Sequence, residues 1–232
     1  MRVTEVFYSL QGEGMLVGTP SVFVRLAGCP FRCRWCDTAY AWDYSAGEEL
    51  DPDQIIERVN QWPCKFMVLT GGEPMTGPDS SARPGLVDLT RRLRALGKHI
   101  TIETAGVLCV PDLACDLLSI SPKLANAAPR GRSVTTVHQS NRLDLETIRG
   151  LLSAYPYQLK FVVESPADVR EVQGILAQLG ELSPERVMLM PQAATREELL
   201  KLSPAIAGAC KQTGLRFGQR LHIQLWGGQR GV

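Results

Sequence analysis

The 232-residue sequence predicts an α/β fold in which a mainly parallel sheet curves into an open, partial (β/α) barrel. Two observations predict it. Short runs rich in Val, Ile and Phe alternate along the chain with segments of helical period, and such alternation implies right-handed crossovers between parallel strands. About six strands are expected, too few for a closed eight-stranded barrel.

In chain order the expected strands are 22–26, 66–69, 99–103, 117–121, 159–163 and 187–190. The expected helices are 51–61, 84–96, 143–154, 167–179 and 195–212. Asp51 stands before Pro52, whose fixed φ suits a first helical turn. Thr195 precedes two glutamates, an equally good start signal. The stretch 124–141 is polar and aperiodic, and reads as a loosely ordered connection rather than a mobile flap. With no internal repeat or second domain visible, 1–232 reads as a single domain.

Composition narrows the function. Lys plus Arg number 25 against 24 Asp plus Glu, a near-neutral balance that argues against a broad nucleic-acid footprint. No apolar run approaches a membrane span, and the start MRVTEVFYSLQGEG has no apolar signal-peptide stretch. Seven cysteines without a pairing pattern suit a reducing cytosol, so a cytoplasmic location is expected. Cys64, Cys109, Cys115 and Cys210 lie among apolar neighbours and are expected to be buried.

The remaining three cysteines, Cys29, Cys33 and Cys36, fall within eight residues. An odd number argues against a disulfide framework. Structural zinc usually takes paired Cys-x-x-Cys elements or a nearby histidine, and His99, His138 and His222 are all distant in sequence. A 4Fe–4S cube normally takes four thiolates. Three would leave one iron open to a small molecule, which is what chemistry at the cluster requires.

Other candidate residues sit where α/β sheets place their sites, beyond the carboxyl ends of strands. The cysteines follow the strand 22–26. Thr70 and the run GGEP at 71–74 follow the second strand, Glu103 and Thr104 close the third, and Ser121, Pro122 and Lys123 close the fourth. Met190, Pro191 and Gln192 close the sixth. Two glycines allow close backbone approach to a ligand, and Glu73 offers an acceptor for an ammonium group, although GGEP alone could be a simple turn. Glu103 reads as a surface carboxylate or a contact to a cofactor hydroxyl or amine. Lys160, inside an apolar strand, reads as a snorkelling core lysine or a site cation.

The cysteine spacing, with Trp35 before the last cysteine, closely resembles the radical S-adenosylmethionine (SAM) family. That resemblance implies a 4Fe–4S cluster whose open iron holds the methionyl end of SAM, and a 5′-deoxyadenosyl radical released by reductive cleavage. The run FYSLQGEG at 7–14, Cys36-Asp37-Thr38, Ser121-Pro122-Lys123 and the tail LWGGQRGV at 225–232 together resemble the 7-carboxy-7-deazaguanine synthase family of the queuosine pathway. The resemblance runs through almost the whole chain. It implies conversion of 6-carboxy-5,6,7,8-tetrahydropterin into 7-carboxy-7-deazaguanine by ring contraction with loss of ammonia. It also implies catalytic use of SAM, a Mg²⁺ requirement, a shortened radical SAM barrel, a homodimer and an electron donor such as flavodoxin. No nucleic-acid or membrane partner is expected.

By the same resemblance, Leu10, Gln11, Gly12, Glu13, Arg25, Thr70 and the terminal Val232 are expected to hold the pterin. Arg25 is assigned the substrate carboxylate, for which a guanidinium fork is suited. Thr38 is expected to ligate Mg²⁺. Trp35, Cys36, Asp37, Gly72, Glu73, Glu103, Ser121, Pro122 and Lys123 are expected around SAM, with Met190, Pro191, Gln192 and Ala193 completing its pocket through backbone groups. Another radical SAM enzyme, such as a glycyl-radical activase, shares the cysteine spacing but often carries a second cluster motif. A zinc- or cluster-binding regulatory module would leave the GGEP run unexplained.

Overall fold

The structure is a computed structural model that describes residues 1–129 and 142–232; most of the connection expected over 124–141, with His138, lies outside the described residues. The strands are β1 (Arg2–Leu10), β2 (Pro20–Leu26), β3 (Glu48–Glu49), β4 (Phe66–Gly71), β5 (His99–Thr104), β6 (Leu117–Ile120), β7 (Tyr157–Val163), β8 (Val187–Pro191) and β9 (Arg216–Phe217). The helices are α1 (Pro52–Val59), α2 (Leu86–Ala95), α3 (Leu145–Ala154), α4 (Pro166–Leu179), α5 (Arg196–Thr213) and α6 (Leu221–Trp226). Every strand and helix expected from sequence is present within a residue or two of its expected ends. The structure adds β1, β3, β9 and α6.

The sheet runs β3-β1-β2-β4-β5-β6-β7-β8-β9. From β2 to β9 every pairing is parallel, whereas β1 is antiparallel to both β2 and β3. Its two edges do not meet, so the barrel stays open as the strand number predicted. Helix starts carry the capping chemistry read from the sequence. The Asp51 carboxylate accepts from the Gln54 N–H, and Thr195 does the same for Glu198, each closing a reciprocal capping box.

Alternation along the strands separates two environments. Val22, Val24 and Leu26 of β2, Met67 and Leu69 of β4, and Leu159, Phe161 and Val163 of β7 turn one way. They pack with Ile55, Leu89, Ile148 and Val172 of the helices in one buried cluster. The opposite face presents Arg25, Thr70, Glu103, Ser119 and Lys160. Closed barrels fill that interior with branched apolar side chains. A polar interior with charges cannot close dry, and it leaves a cavity.

β1 departs from simple alternation. Val3 pairs with Leu26 and lies in the apolar cluster, but Glu5 pairs with Arg25, so Thr4 is the extra residue of a β-bulge. The bulge shifts the period by one residue and turns Glu5 and Phe7 into the cavity. Among the four outlying cysteines, Cys64, Cys115 and Cys210 are buried as expected, but Cys109 is exposed. It lies on the link between β5 and β6, where Val110 is buried beneath it and the thiol faces outward.

Candidate active site

Inside the curve of the sheet, near the carboxyl ends of its parallel strands, lies a cavity of about 290 Å³. The three clustered cysteines line one wall, and Cys29 and Cys33 are buried. Burial pushes the Cys29 thiol up to about 12, against a weak opposing contact from the Phe31 N–H, and burial also raises Cys33. Such thiols are neutral until a metal binds and displaces their protons. Among the described residues, no three His, Cys, Asp or Glu side chains are grouped as the coordination sphere of one metal ion. A cube distributes its thiolates over separate irons, so the donor set fits a cluster better than zinc.

Two further observations fit a cofactor at this wall. The indole Nε1 of Trp35 is buried with no hydrogen-bond partner among the described residues, an unsatisfied donor beside the cysteines. The turn after β4 is pressed against the cysteine loop: a Cβ on Gly72 would lie 2.5 Å from the Gly28 carbonyl oxygen and 2.7 Å from Cys29 Cβ. Any side chain there would displace Cys29. Gly72→Ala is therefore expected to lower stability by about 1–3 kcal/mol through overpacking. Chemical denaturation, with iron loading as a second readout, checks it.

Glu73 departs from its expected place. Gly71 and Gly72 line the cavity, but the Glu73 side chain lies behind them and is 1% exposed. Its carboxylate accepts from the Thr104 hydroxyl at 2.7 Å and from the Ala105 and Met75 N–H groups at 2.8 and 3.1 Å. Glu73 thus ties the glycine turn to the end of β5. Arg83 clamps the same turn from outside by donating to the carbonyl oxygens of Ala27, Glu73 and Pro74.

At the opposite wall, Gln11, Gly12 and Glu13 enter from the end of β1. The Gln11 side chain accepts from the Glu13 N–H at 3.1 Å and donates to Glu103 at 3.3 Å. Gly12 is required because a Cβ would lie 2.1 Å from Nδ1 of His222. Lys160, 3% exposed, reaches Glu13 at 3.0 Å and Glu103 at 3.5 Å. Arg220 meets Glu13 at 3.1 Å and Asp37 at 2.7 Å. Burial opposes charge on Glu13, but Lys160 and Arg220 together hold it well below the usual carboxylate range. Burial likewise opposes the Lys160 charge, and Glu13 with Glu103 more than offsets it. Lys160 is a site cation rather than a snorkelling core lysine.

Leu10, Arg25, Trp35, Asp37, Thr38, Thr70, Ser121, Lys123, Met190 and Val232 also line the cavity. Lys123 stands over the Trp35 ring at 5.7 Å and donates to Ser121. Pro122, Pro191, Gln192 and Ala193 do not line it. The Gln192 N–H continues the pairing of β8 with β7, and Ala193 packs with Leu199 and Ile223. Sequence reasoning missed Glu5, Tyr40, Arg220, His222 and Arg230, all on the cavity wall. Arg220 and His222 follow β9, so the strand-end rule would have found them had two-residue β9 been visible.

The fold and its cysteine-lined cavity place the chain in the radical SAM superfamily, whose family model matches residues 24–126. The fold is also that of a solved structure, QueE from Escherichia coli, with a TM-score of 0.69 and 23% identity, covering 95% of this chain and 94% of that one. Two relatives are closer in sequence. The 7-carboxy-7-deazaguanine synthase of Halobacterium salinarum is 38% identical over 97% of this chain and 90% of its own length. That of Rhodopirellula baltica is 38% identical over all of this chain and 89% of its own. The chain belongs to the 7-carboxy-7-deazaguanine synthase family.

Proposed function

We propose that this chain catalyses the conversion of 6-carboxy-5,6,7,8-tetrahydropterin into 7-carboxy-7-deazaguanine, with loss of ammonia. The observation that carries the reading is membership of that family along the full chain, with most of the residues expected at its site lining one cavity. Cys29, Cys33 and Cys36 would hold a 4Fe–4S cluster. Trp35, Asp37, Gly72, Glu103, Ser121, Lys123 and Met190 would surround SAM, with Glu73 bracing the glycine turn. When bound, the cluster supplies the electron that cleaves SAM reductively and so starts radical chemistry.

The chain's own residues select and orient the pterin. Gln11 and Glu13 present acceptors and a donor suited to the pyrimidinone edge, and Lys160 keeps Glu13 ionised for that task. Arg25 directs its Nε to Glu5, and its two terminal nitrogens have no hydrogen-bond partner among the described residues. They form a fork suited to a carboxylate. The Thr38 hydroxyl, a hard oxygen donor, would take Mg²⁺ together with substrate oxygens. Thr70 and the segment 227–232 complete the enclosure.

We further infer a homodimer in the cytoplasm, reduced by a donor such as flavodoxin. No helix among the described residues is long and apolar enough to cross a membrane.

Anaerobic incubation with SAM, dithionite and the carboxypterin, read by mass, tests the activity; absence of the deazaguanine product under these conditions overturns it. Arg25→Ala is expected to raise the carboxypterin KM roughly tenfold to hundredfold, the worth of a hydrogen bond between charged partners. Uncoupled SAM cleavage should be spared. An equal loss of that cleavage would mean a folding or cluster defect instead.

A further inference from the structure

We propose that Glu5 is a positioning residue that aims the Arg25 guanidinium at the substrate carboxylate and latches the C-terminal segment over the cavity through Arg230. The first half rests on the assignment of Arg25 to that carboxylate; the latch stands on geometry alone.

The sequence is built to bring Glu5 here. Regular alternation from Val3 would send residue 5 into the apolar cluster, and the bulge at Thr4 reverses that direction. Thr4 secures the bulge by donating its hydroxyl to the Arg25 carbonyl oxygen at 3.1 Å. Glu5 and Arg25 then face each other directly across the β1–β2 pair, with side chains 12% and 15% exposed.

The two carboxylate oxygens divide their partners. Oε1 accepts from Arg25 Nε at 2.6 Å and from the Tyr40 hydroxyl, while Oε2 accepts from Arg230 Nε at 2.9 Å. One side chain of β1 therefore joins three segments: the strand carrying Arg25, the loop after the cysteines and the tail. Arg230 also stacks over the Tyr40 ring at 3.8 Å. The bond from Nε fixes the rotation of Arg25 and leaves its two terminal nitrogens for a ligand. Phe7 supports the other side, 5.9 Å from the Arg25 guanidinium carbon to its ring centre.

The tail needs such an anchor. It carries Gly227, Gly228 and Gly231, so its backbone has wide freedom to lose on closing. A neutral amide at residue 5 could not balance two guanidinium groups, and Arg25 and Arg230 would separate.

The test uses the cluster-loaded enzyme with Glu5→Gln, Arg230→Ala and the double variant. Arg230 is 54% exposed, so its removal leaves the fold intact. Both single variants should speed hydrogen exchange in 227–232 by about tenfold, and the double variant should be no faster than Glu5→Gln alone, because the latch is shared. Glu5→Gln should also raise the carboxypterin KM by about tenfold or more while uncoupled SAM cleavage stays near wild type. A purely structural role would reduce carboxypterin turnover and uncoupled SAM cleavage alike, and that outcome overturns the positioning role. Unchanged tail exchange in Glu5→Gln overturns the latch. If wild type makes no deazaguanine product, the family activity fails, and the exchange measurement still decides the latch.

Discussion

Replacing Cys29, Cys33 or Cys36 by Ala is expected to abolish cluster assembly and all SAM cleavage. A cube held by three thiolates has no spare ligand, because each sulfur serves a different iron. The surroundings cannot supply a substitute: among the described residues no further histidine, cysteine or carboxylate joins these three as a metal-binding group. Reconstituted wild-type protein should carry about four irons per chain with the visible absorption of a cluster. Each single variant should show neither the absorption nor 5′-deoxyadenosine. The other four cysteines serve as internal controls. Cys64 and Cys210 donate to backbone carbonyls, Cys115 is buried in the apolar cluster and Cys109 is exposed, all outside the cavity lining. Their Ala variants should keep full iron loading. Stoichiometric zinc in place of iron would sink the assignment.

Lys160→Met is the second large effect expected. The change preserves volume and removes the charge that separates Glu13 from Glu103. Breaking a buried ion pair by deleting one partner typically costs about 3–5 kcal/mol, far more than a surface pair is worth. The loss should follow pH with a definite sign. Glu13 has a folded-state pKa below its unfolded value, so its contribution is present above the ordinary carboxylate range and fades as pH falls through the depressed folded value. The deficit of Lys160→Met should accordingly be largest near neutrality and shrink toward acid, where a proton on Glu13 removes the charge that Arg220 alone still balances. Urea denaturation at several pH values reads this directly. A constant deficit across pH would mean that lost packing, not charge, is the cause. Turnover of the carboxypterin should be lost in the same variant, because Glu13 and Gln11 share one hydrogen-bonded loop.

Local signals carried the parallel sheet and most of the cavity wall. The short apolar runs of β2 and β7, the capping residues Asp51 and Thr195, and the cysteine spacing are properties of neighbouring residues, so they can be read one window at a time. The strand-end rule then gathers Thr70, Gly72, Glu103, Ser121 and Lys123 on one rim without knowledge of any long-range contact.

What those signals could not carry follows from distance along the chain. β1 hides its strand character because the bulge at Thr4 breaks the alternation that would announce it. The partners that define the polar wall, Arg220 with Glu13 and Arg230 with Glu5, lie 207 and 225 residues apart. Glu73 shows the same limit within a motif. The sequence places it at the right turn, but whether its carboxylate meets a ligand or the chain depends on β5, whose Thr104 and Ala105 take it up. The sequence by itself thus determined the fold class, the cysteine triplet and the end of the sheet where chemistry gathers. Only the tertiary structure decided which charges face one another there, because a buried carboxylate takes its role from whatever cations and N–H groups surround it, and here those come from strands and a tail far away along the chain.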